Sequence, residues 1–374
     1  MKSIIKSEVV PLVDLVGQYV EIRGEIDAAI STVLEQASFI GGDPVRRFED
    51  NFSKYLGVSH CIGVGNGTDA IEIVLEGLGL PAGSEVIVPA ASFIASSEAV
   101  TRAGFRVVFA DVLPDIYVLD PSDVARRITG RTSAILGVHL FGHPCPMEEL
   151  SDIARSHGLA LIEDAAQAHG SESGGGRVGG LGVAATFSFY PGKNLGAYGD
   201  AGAITTNDDA LAHRTRMIAN HGRISKYDHE FEGRNSRLDS LQAAVLDVKL
   251  RHLEVWTERR RALAARYAEG LAGIGGLQLP VERTGSRHVY HLYVVRLDRR
   301  DELASYLFER GISTGIHYPH SLPSLQAYAG HPQQGEAFFA DEMARTVLSL
   351  PMADSIRGEQ VDRVIDAVRN FFGA

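Results

Sequence analysis

The chain has 374 residues, of which 45% are hydrophobic and 22% are charged, proportions typical of a globular protein and not of a disordered or collagen-like one. A net charge of −11 argues against a nucleic-acid partner, and two cysteines are too few for a disulfide framework and fit a reducing compartment. No apolar run approaches the ~20 residues that cross a membrane, and the first residues lack a signal-peptide pattern, so we expect a cytoplasmic protein without membrane contact.

Residues 1–20 are predicted to form an arm that leads into a helix over residues 22–36. After it, seven short runs of β-branched or apolar residues have the composition of buried strands. They are residues 60–64, 85–88, 106–110, 133–139, 160–163, 185–189 and 202–205. Helical patterns over residues 68–78, 92–102, 122–127 and 147–156 separate the early strands. This alternation predicts an α/β fold, with a mostly parallel seven-stranded sheet covered by helices on both faces.

The pattern changes near residue 240, where two long helices are predicted over residues 239–255 and 256–271. A strand over residues 291–297 and helices over residues 300–310 and 359–371 indicate a smaller C-terminal α+β unit. We therefore predict two domains. Residues 1–249 would hold the arm and the large sheet, and residues 250–374 a linking helix and the small unit.

Lys193 directly follows the predicted strand 185–189, in a turn framed by Pro191, Gly192 and Gly196. Ligands of open α/β sheets bind at the carboxyl ends of strands. Burial at such a position would lower the pKa of the Lys193 amine and leave it able to form a Schiff base. The spacing alone leaves a simple surface turn as the alternative.

Asp164 stands where the predicted strand 160–163 ends. A carboxylate at such a position can be an ordinary helix N-cap. It can also hold a pyridinium nitrogen protonated, as a pyridoxal ring requires to act as an electron sink. Because Asp164 and Lys193 follow neighbouring strands, we expect both to face one crevice.

A glycine-rich turn containing Gly63 and Gly65 links the strand 60–64 to a helix, with Thr68 at the start of that helix. Backbone N–H groups at a helix N-terminus can bind a phosphate, and the Thr68 hydroxyl can add a hydrogen bond. Threonine at 68 breaks the dinucleotide pattern G-x-G-x-x-G, which favours a cofactor with one phosphate. Two alternatives remain open. The segment can be a plain turn with Thr68 as the helix cap, or it can belong to a nicotinamide-dependent oxidoreductase, in which Glu85 would be the acidic residue that follows the loop.

Taken together, the motifs resemble the DegT-type (DegT/StrS) nucleotide-sugar aminotransferases, fold type I enzymes that depend on pyridoxal 5′-phosphate. The resemblance runs through nearly the whole chain. Its marks are residues 10–15 (VPLVDL), 39–42 (FIGG), 65–70 (GNGTDA), 163–167 (EDAAQ), 188–193 (SFYPGK), 199–202 (GDAG), 235–244 (NSRLDSLQAA) and 316–319 (IHYP).

The resemblance implies a role for each matching residue. Lys193 and Asp164 would be catalytic, the lysine binding the cofactor as a Schiff base and the aspartate pairing with its ring nitrogen. The other implied cofactor contacts are Gly67, Thr68 and Ser188 on the phosphate, Gln167 on the ring 3-oxygen, Phe93 on the ring face and Asn235 on the phosphate of the neighbouring subunit. The active unit is therefore expected to be a homodimer with shared sites.

The implied reaction is transfer of an amino group from L-glutamate to a keto nucleotide sugar, because lysine, and not histidine, stands at 193. The product would be an amino sugar for a surface polysaccharide or a secondary metabolite. The loop form over residues 66–69 favours a 3-keto acceptor, while a 4-keto sugar or a keto-cyclitol remains an alternative. Arg237, His317 and Tyr318 match positions that reach the sugar. A PLP-binding regulator without turnover also remains open.

Some further residues suggest sites that we do not expect. His139, His143 and Cys145 lie close in sequence, yet Gly142 and Pro144 indicate a turn, and no metal site is predicted. His288 and His291 are three residues apart, so they would face opposite sides of the sheet if both lay in the predicted strand, and we expect no site there. Arg259, Arg260 and Arg261 are interpreted as a solvated helix face, and Trp256 as a core or dimer anchor.

Overall fold

The computed structural model describes residues 9–374, so the first eight residues of the arm predicted over residues 1–20 lie outside the described residues. The α-helices are α1 Leu15–Gln36, α2 Asp43–Leu56, α3 Gly67–Gly77, α4 Ala95–Arg102, α5 Pro121–Arg127, α6 Met147–His157, α7 Asp209–Ile218, α8 Ser240–Leu250, α9 Leu253–Gly270, α10 Arg300–Phe308, α11 Phe339–Thr346 and α12 Gly358–Phe372. The strands are β1 His60–Val64, β2 Glu85–Pro89, β3 Arg106–Ala110, β4 Thr132–Val138, β5 Ala160–Asp164, β6 Glu172–Ser173, β7 Gly176–Arg177, β8 Ala184–Ser188, β9 Gly202–Thr206, β10 Ser286–Arg287, β11 Tyr293–Arg296 and β12 Val347–Leu350. Within this range no helix is both long and apolar enough to cross a membrane.

Seven strands form the central sheet in the order β1-β9-β8-β5-β4-β2-β3. β9 runs antiparallel to β1 and β8, and every other neighbouring pair is parallel. Runs such as Val86-Ile87-Val88 are fully buried, because helices cover both faces of the parallel part. The predicted mostly parallel seven-stranded sheet is therefore confirmed, with strand ends within a residue or two of those expected. Its topology sets the carboxyl ends of β5 and β8 side by side.

The N-terminal helix is longer than predicted. α1 begins at Leu15, because the Asp14 carboxylate accepts a hydrogen bond of 2.9 Å from the Gly17 N–H and so caps the first turn. The helix bends at Ile22, whose φ of −116° and ψ of 17° are not helical. Residues 15–20, expected in the arm, are thus the first turns of α1.

A smaller α+β unit follows the sheet, as predicted. β11 and β12 pair antiparallel, and their buried side chains join those of α9, α10 and α12 in one apolar cluster. Val10 belongs to the same cluster and pairs with Ile312, so the N-terminal segment packs on this unit. The predicted strand over residues 291–297 is shorter than expected, since β11 begins at Tyr293. His288 and His291 both precede it, and the argument from alternating faces does not apply to them.

The basic run on α9 is a solvated face only in part: Arg259 is exposed, as expected, but Arg260 is buried, contrary to expectation. Arg260 is 3% exposed, and its guanidinium lies 3.2 Å from the carboxylate of Asp354, itself buried. Nη1 of Arg260 also reaches the carbonyls of Tyr290, His291 and Met352 at 3.2 to 3.4 Å. A buried cation requires such partners to offset its lost hydration. Trp256, one turn earlier, is a core residue.

Replacement of Arg260 by leucine should lower the free energy of unfolding by about 3–5 kcal/mol, because Asp354 would keep a buried charge without its cation. Urea unfolding monitored by circular dichroism measures the change. The matched control is Arg259→Leu on the same helix, where a partly exposed pair with Glu21 is lost and the effect should stay below about 1 kcal/mol. Equal losses in both variants would contradict the assignment of Arg260 to a buried network.

Candidate active site

A cavity of about 640 Å³ opens at the carboxyl ends of β5 and β8. It brings together most of the residues singled out in the sequence. Those that line it are Gly67, Thr68, Phe93, Asp164, Gln167, Ser188, Lys193, His317 and Tyr318. Asn235 and Arg237 do not line it.

Lys193 lies in a turn that the protein holds at several points. Its backbone N–H donates to the Tyr190 carbonyl at 2.8 Å. From α8, Lys249 Nζ donates to the Gly196 carbonyl at 2.8 Å, and the Gln242 side chain accepts from the Tyr198 N–H at 2.8 Å. A Cβ at Gly196 would lie only 2.3 Å from the Pro191 carbonyl oxygen, so the turn requires glycine there.

The Lys193 amine is prepared for nucleophilic chemistry. Burial lowers its pKa to about 8, while the Asp164 carboxylate acts in the opposite direction and raises it. Near neutral pH a useful fraction of the amine is therefore uncharged. Both side chains line one cavity, which rules out the simple surface turn and confirms the predicted common crevice.

Asp164 is not a helix N-cap, because no helix follows β5 before α7 in the described chain. Its carboxylate accepts hydrogen bonds from Ser96 Oγ at 2.8 Å and from the Ala166 N–H at 3.1 Å, and the side chain is 5% exposed. These two donors fix the direction of the carboxylate. Asp164 is thus a buried, oriented acid in the lining of the cavity.

Gln167 is fixed at both ends of its amide. Its Oε1 accepts from the Phe141 N–H at 2.6 Å, and its Nε2 donates to the Tyr318 hydroxyl at 3.0 Å. Phe93 stands above Tyr318 with ring centroids 5.8 Å apart and half of its surface exposed to the cavity mouth. His317 is tied through Nδ1 to Ser349 Oγ at 2.8 Å. One wall of the cavity is therefore aromatic and preorganised.

The N-terminus of α3 forms a close backbone cradle on the opposite wall. Asn66, and not Thr68, caps this helix, since its side chain accepts from the Asp69 N–H at 2.8 Å. A Cβ at Gly67 would lie 2.7 Å from Ser188 Cβ, and a Cβ at Gly202 would lie 2.5 Å from the Asn66 carbonyl. Such packing leaves the first N–H groups of α3 turned to the cavity, where they suit a single phosphate.

Two predicted residues lie elsewhere on the chain. Asn235 is exposed and forms a β-bridge with Asn220. Arg237 lines a separate cavity of about 290 Å³, where Nη1 lies 3.5 Å from Asn220 Oδ1. Within one chain, neither side chain reaches the cavity that holds Lys193.

Several residues of the cavity are not predicted as site residues from the sequence: Tyr190 and Asp200 are not singled out, and His291 is considered with His288 and set aside. Tyr190 and Asp200 flank Lys193 inside the recognised motifs, so proximity in sequence was an available signal. His291 is set aside because it is expected within a strand, whereas it precedes β11 and reaches the cavity from the small unit.

The remaining candidates have structural roles. Among residues 9–374 no group of three or more His, Cys, Asp or Glu side chains could hold a metal ion. His139 bonds Glu163 and the Cys145 N–H inside the core, and Cys145 is buried. Glu85, the acid that a nicotinamide site would need, pairs with Arg131 and does not line the cavity.

An oriented buried acid, an amine of lowered pKa and a backbone cradle for one phosphate all fit pyridoxal phosphate. Asp164 would hold the ring nitrogen, Lys193 the aldehyde carbon, and the α3 N-terminus the phosphate. With the sheet order described above, the fold and the site define a fold type I enzyme of this cofactor.

The comparisons with known proteins agree. The model of the DegT/DnrJ/EryC1/StrS aminotransferase family matches residues 20–369, and the chain belongs to this family. It is 48% identical to the dTDP-3-amino-3,4,6-trideoxy-alpha-D-glucose transaminase of Streptomyces venezuelae, over 99% of this chain and 98% of that protein. It is 44% identical to a pleiotropic regulatory protein of Geobacillus stearothermophilus, over 97% and 98%. It is 40% identical to the UDP-N-acetyl-3-dehydro-alpha-D-glucosamine 3-aminotransferase of Acidithiobacillus ferrooxidans, over 96% and 97%.

Solved structures show the same relationship. Streptomyces venezuelae DesV superposes with a TM-score of 0.96 at 48% identity, over 98% of this chain and 99% of that chain. Bacillus subtilis NtdA with bound cofactor PMP superposes with a TM-score of 0.90 at 31% identity, over 98% and 86%. The protein is a pyridoxal-phosphate-dependent aminotransferase.

Covalent capture of pyridoxal phosphate by the cofactor-free enzyme should be half-maximal near pH 8, since only the uncharged Lys193 amine reacts. An ordinary lysine would require about pH 10.4. Borohydride reduction followed by mass spectrometry of the peptide that contains Lys193 gives the captured fraction. Asp164→Asn should move the midpoint to lower pH, because the carboxylate that raises the lysine pKa is gone. A midpoint near pH 10 in the unaltered enzyme would contradict the burial argument.

Proposed function

We propose that this enzyme transfers an amino group from L-glutamate to the C3 keto group of a nucleotide-linked sugar. The observation that carries the proposal is the buried Lys193 amine, whose pKa burial lowers to about 8, together with Asp164 in one cavity large enough for a sugar. The choice of C3 is supported by the names of the Streptomyces and Acidithiobacillus relatives, which both specify the 3-amino position. The amino sugar would serve a surface polysaccharide or a secondary metabolite.

When bound, pyridoxal phosphate supplies an electron sink for the carbon that gains or loses a proton. Lys193 Nζ takes a proton from that carbon in one half-reaction and returns one in the other. Asp164 would stabilise the positive charge on the ring nitrogen, and the Gly67 and Thr68 N–H groups with the Ser188 hydroxyl would hold the phosphate. Gln167 would bond the ring 3-oxygen, and Phe93 would cover the ring face. In sum, glutamate and keto sugar become 2-oxoglutarate and amino sugar.

The active unit is proposed to be a homodimer in which Asn235 of the partner subunit completes the phosphate site. Within one chain, Asn235 is exposed and remote from the cavity. Phe39 and Ile40, which are 46% and 55% exposed, adjoin this segment through the bridge from Ile40 to Asp239. An exposed apolar patch beside an unused functional segment suits an interface between two copies.

The partner's cations would also balance the charge of the substrate. Among the described residues that line the cavity, Lys193 is the one lysine or arginine, and Asp164 and Asp200 are acidic. A nucleotide diphosphate brings two further negative charges. We propose that Arg237 of the partner subunit, together with His317 and Tyr318 of the same chain, contacts the sugar nucleotide.

Two further points are proposals of the same kind. The division into residues 1–249 and 250–374 is supported by the separate apolar cluster that α9, α10 and α12 form with β11 and β12. A cytoplasmic location is supported by the two cysteines, which are unpaired and buried.

A panel of 3-keto and 4-keto nucleotide sugars and keto-cyclitols, offered with L-glutamate, tests the acceptor. We expect turnover to be fastest with a 3-keto sugar, and Lys193→Ala should abolish turnover while cofactor still binds noncovalently. Product formation is measured by mass spectrometry. Preference for a 4-keto sugar or a cyclitol would overturn the C3 assignment. Absence of turnover with every acceptor would favour a regulatory protein.

Mixing two inactive variants tests the shared site. Lys193→Ala and Asn235→Ala, unfolded and refolded together, should recover about a quarter of the native activity, because half of the dimers would contain one intact site of two. Each variant refolded alone is the control and should stay inactive. No recovery, despite mixed dimers detected by native mass spectrometry, would show that Lys193 and Asn235 act in the same chain, and activity of Asn235→Ala refolded alone would show that Asn235 is dispensable.

A further inference from the structure

Asn194, the residue after Lys193, is 2% exposed and held at both ends of its amide. Its Nδ2 donates to the Val289 carbonyl at 3.2 Å, and its Oδ1 lies 3.2 Å from Nδ1 of His291. A carbonyl can only accept a hydrogen bond, so the contact with Val289 determines which end of the amide carries the NH2 group. Oδ1 therefore faces His291, and it too can only accept.

This orientation determines the tautomer of His291. Nδ1 must carry a proton to bond Asn194 Oδ1, so the Nε2 of the neutral ring has a free lone pair. Among residues 9–374 no group forms a hydrogen bond with this Nε2, and the His291 side chain is one of those that line the cavity with Lys193. The cavity thus contains an acceptor without a proton, supplied from the small unit.

The surroundings keep the ring uncharged. Burial lowers the pKa of His291 well below its ordinary value, and the positive charges of Lys193 and Arg260 lower it further. His317 and His169 act in the same direction. A group of such low basicity accepts a hydrogen bond but does not retain a proton at neutral pH. His291 is therefore unsuited to serve as a general base or to bind an anion.

An acceptor of this kind complements a ligand group that only donates. The ammonium group of an amino acid has three donors and no acceptor, whereas a sugar hydroxyl both donates and accepts. His291 is electrostatically coupled to Lys193, and the donor nitrogen must approach the same place to be transferred. The neighbouring polar groups are engaged, with His317 Nδ1 on Ser349 and Tyr318 Oη on Gln167.

We propose that His291 Nε2 receives a hydrogen bond from the amino group of the incoming amino-acid donor and orients that nitrogen beside Lys193. Asn194 is a positioning residue, which acts by fixing the tautomer. The proposal rests on the proposed transfer from L-glutamate, and it names the group that binds the donor nitrogen.

Single-turnover kinetics separate the two half-reactions, because the absorbance of the cofactor changes in each. His291→Phe should slow the reaction with L-glutamate by about 10- to 100-fold, the usual effect of losing one hydrogen bond to a charged group. The reaction of the aminated enzyme with keto sugar should change less than about threefold. His291→Gln, which keeps an acceptor near the position of Nε2, should recover part of the rate. His213→Phe, on the exposed surface of α7, is the matched control.

The opposite pattern, a slow sugar half-reaction with a normal glutamate half-reaction, would overturn the proposal and assign His291 to the sugar. An equal loss of the glutamate half-reaction rate in His291→Phe and His291→Gln would also overturn the proposal, because it would mean that the hydrogen-bond acceptor kept by glutamine has no effect. If the unaltered enzyme fails to react with L-glutamate, the amino donor in the proposed function is wrong. The same variants are then compared with the amino acid that does react.

Nitrogen NMR of the cofactor-free protein, labelled at histidine, supplies a readout independent of activity. The signal lost in His291→Gln should show the Nδ1–H tautomer and should not titrate between about pH 5 and 8. Asn194→Asp places a carboxylate on Nδ1, and this should raise the pKa of His291 and bring its titration into that range. An Nε2–H tautomer, or titration of His291 in the unaltered protein, would overturn the proposal.

Discussion

Burial of the Lys193 amine opposite the Asp164 carboxylate is the interaction on which the rest of this structure depends. Burial alone would favour the uncharged amine, and the carboxylate alone would favour the ammonium ion. The balance leaves the pKa of Lys193 near 8, where the amine is uncharged often enough to react and charged often enough to move protons. Ser96 and the Ala166 N–H hold the aspartate carboxylate in place in the lining of the cavity. The sheet order makes this pairing possible, because β5 and β8 are neighbours and run parallel.

α8 links this interaction to the proposed interface. Two of its side chains, Gln242 and Lys249, hold the turn that carries Lys193, and they stand seven residues apart on one face of the helix. The same helix directly follows the segment with Asn235 and Arg237, which we propose to serve the partner's site. Lys249 and Arg260 both face Asp354, so the turn, the small unit and α1 share one buried polar network.

Adjacent residues at the end of β5 show how strand geometry separates roles that the sequence leaves equivalent. Glu163 and Asp164 point to opposite sides of the sheet, as consecutive strand residues do. Glu163 is fully buried and accepts hydrogen bonds from the Gly179, Leu181 and Gly182 N–H groups, which hold the loop that precedes β8. Asp164 faces the cavity. One relative of this chain is named a pleiotropic regulatory protein. The fold alone therefore does not establish catalysis, which must be argued from side chains such as Lys193 and Asp164.

The sequence by itself determined the strands of the sheet, the family and the residues of the central motifs. Those features depend on local composition and on short spacings, as in the Val86-Ile87-Val88 run or the glycines around Lys193. It did not determine the start of α1, where one capping contact from Asp14 outweighs a polar composition. Nor did it show that Arg260 is buried or that His291 enters the cavity, because both depend on how the small unit packs against the sheet. Only the tertiary structure decided these three features. It brings together residues about a hundred positions apart, such as Asn194 and His291. It therefore determines which polar groups must pair when water is excluded.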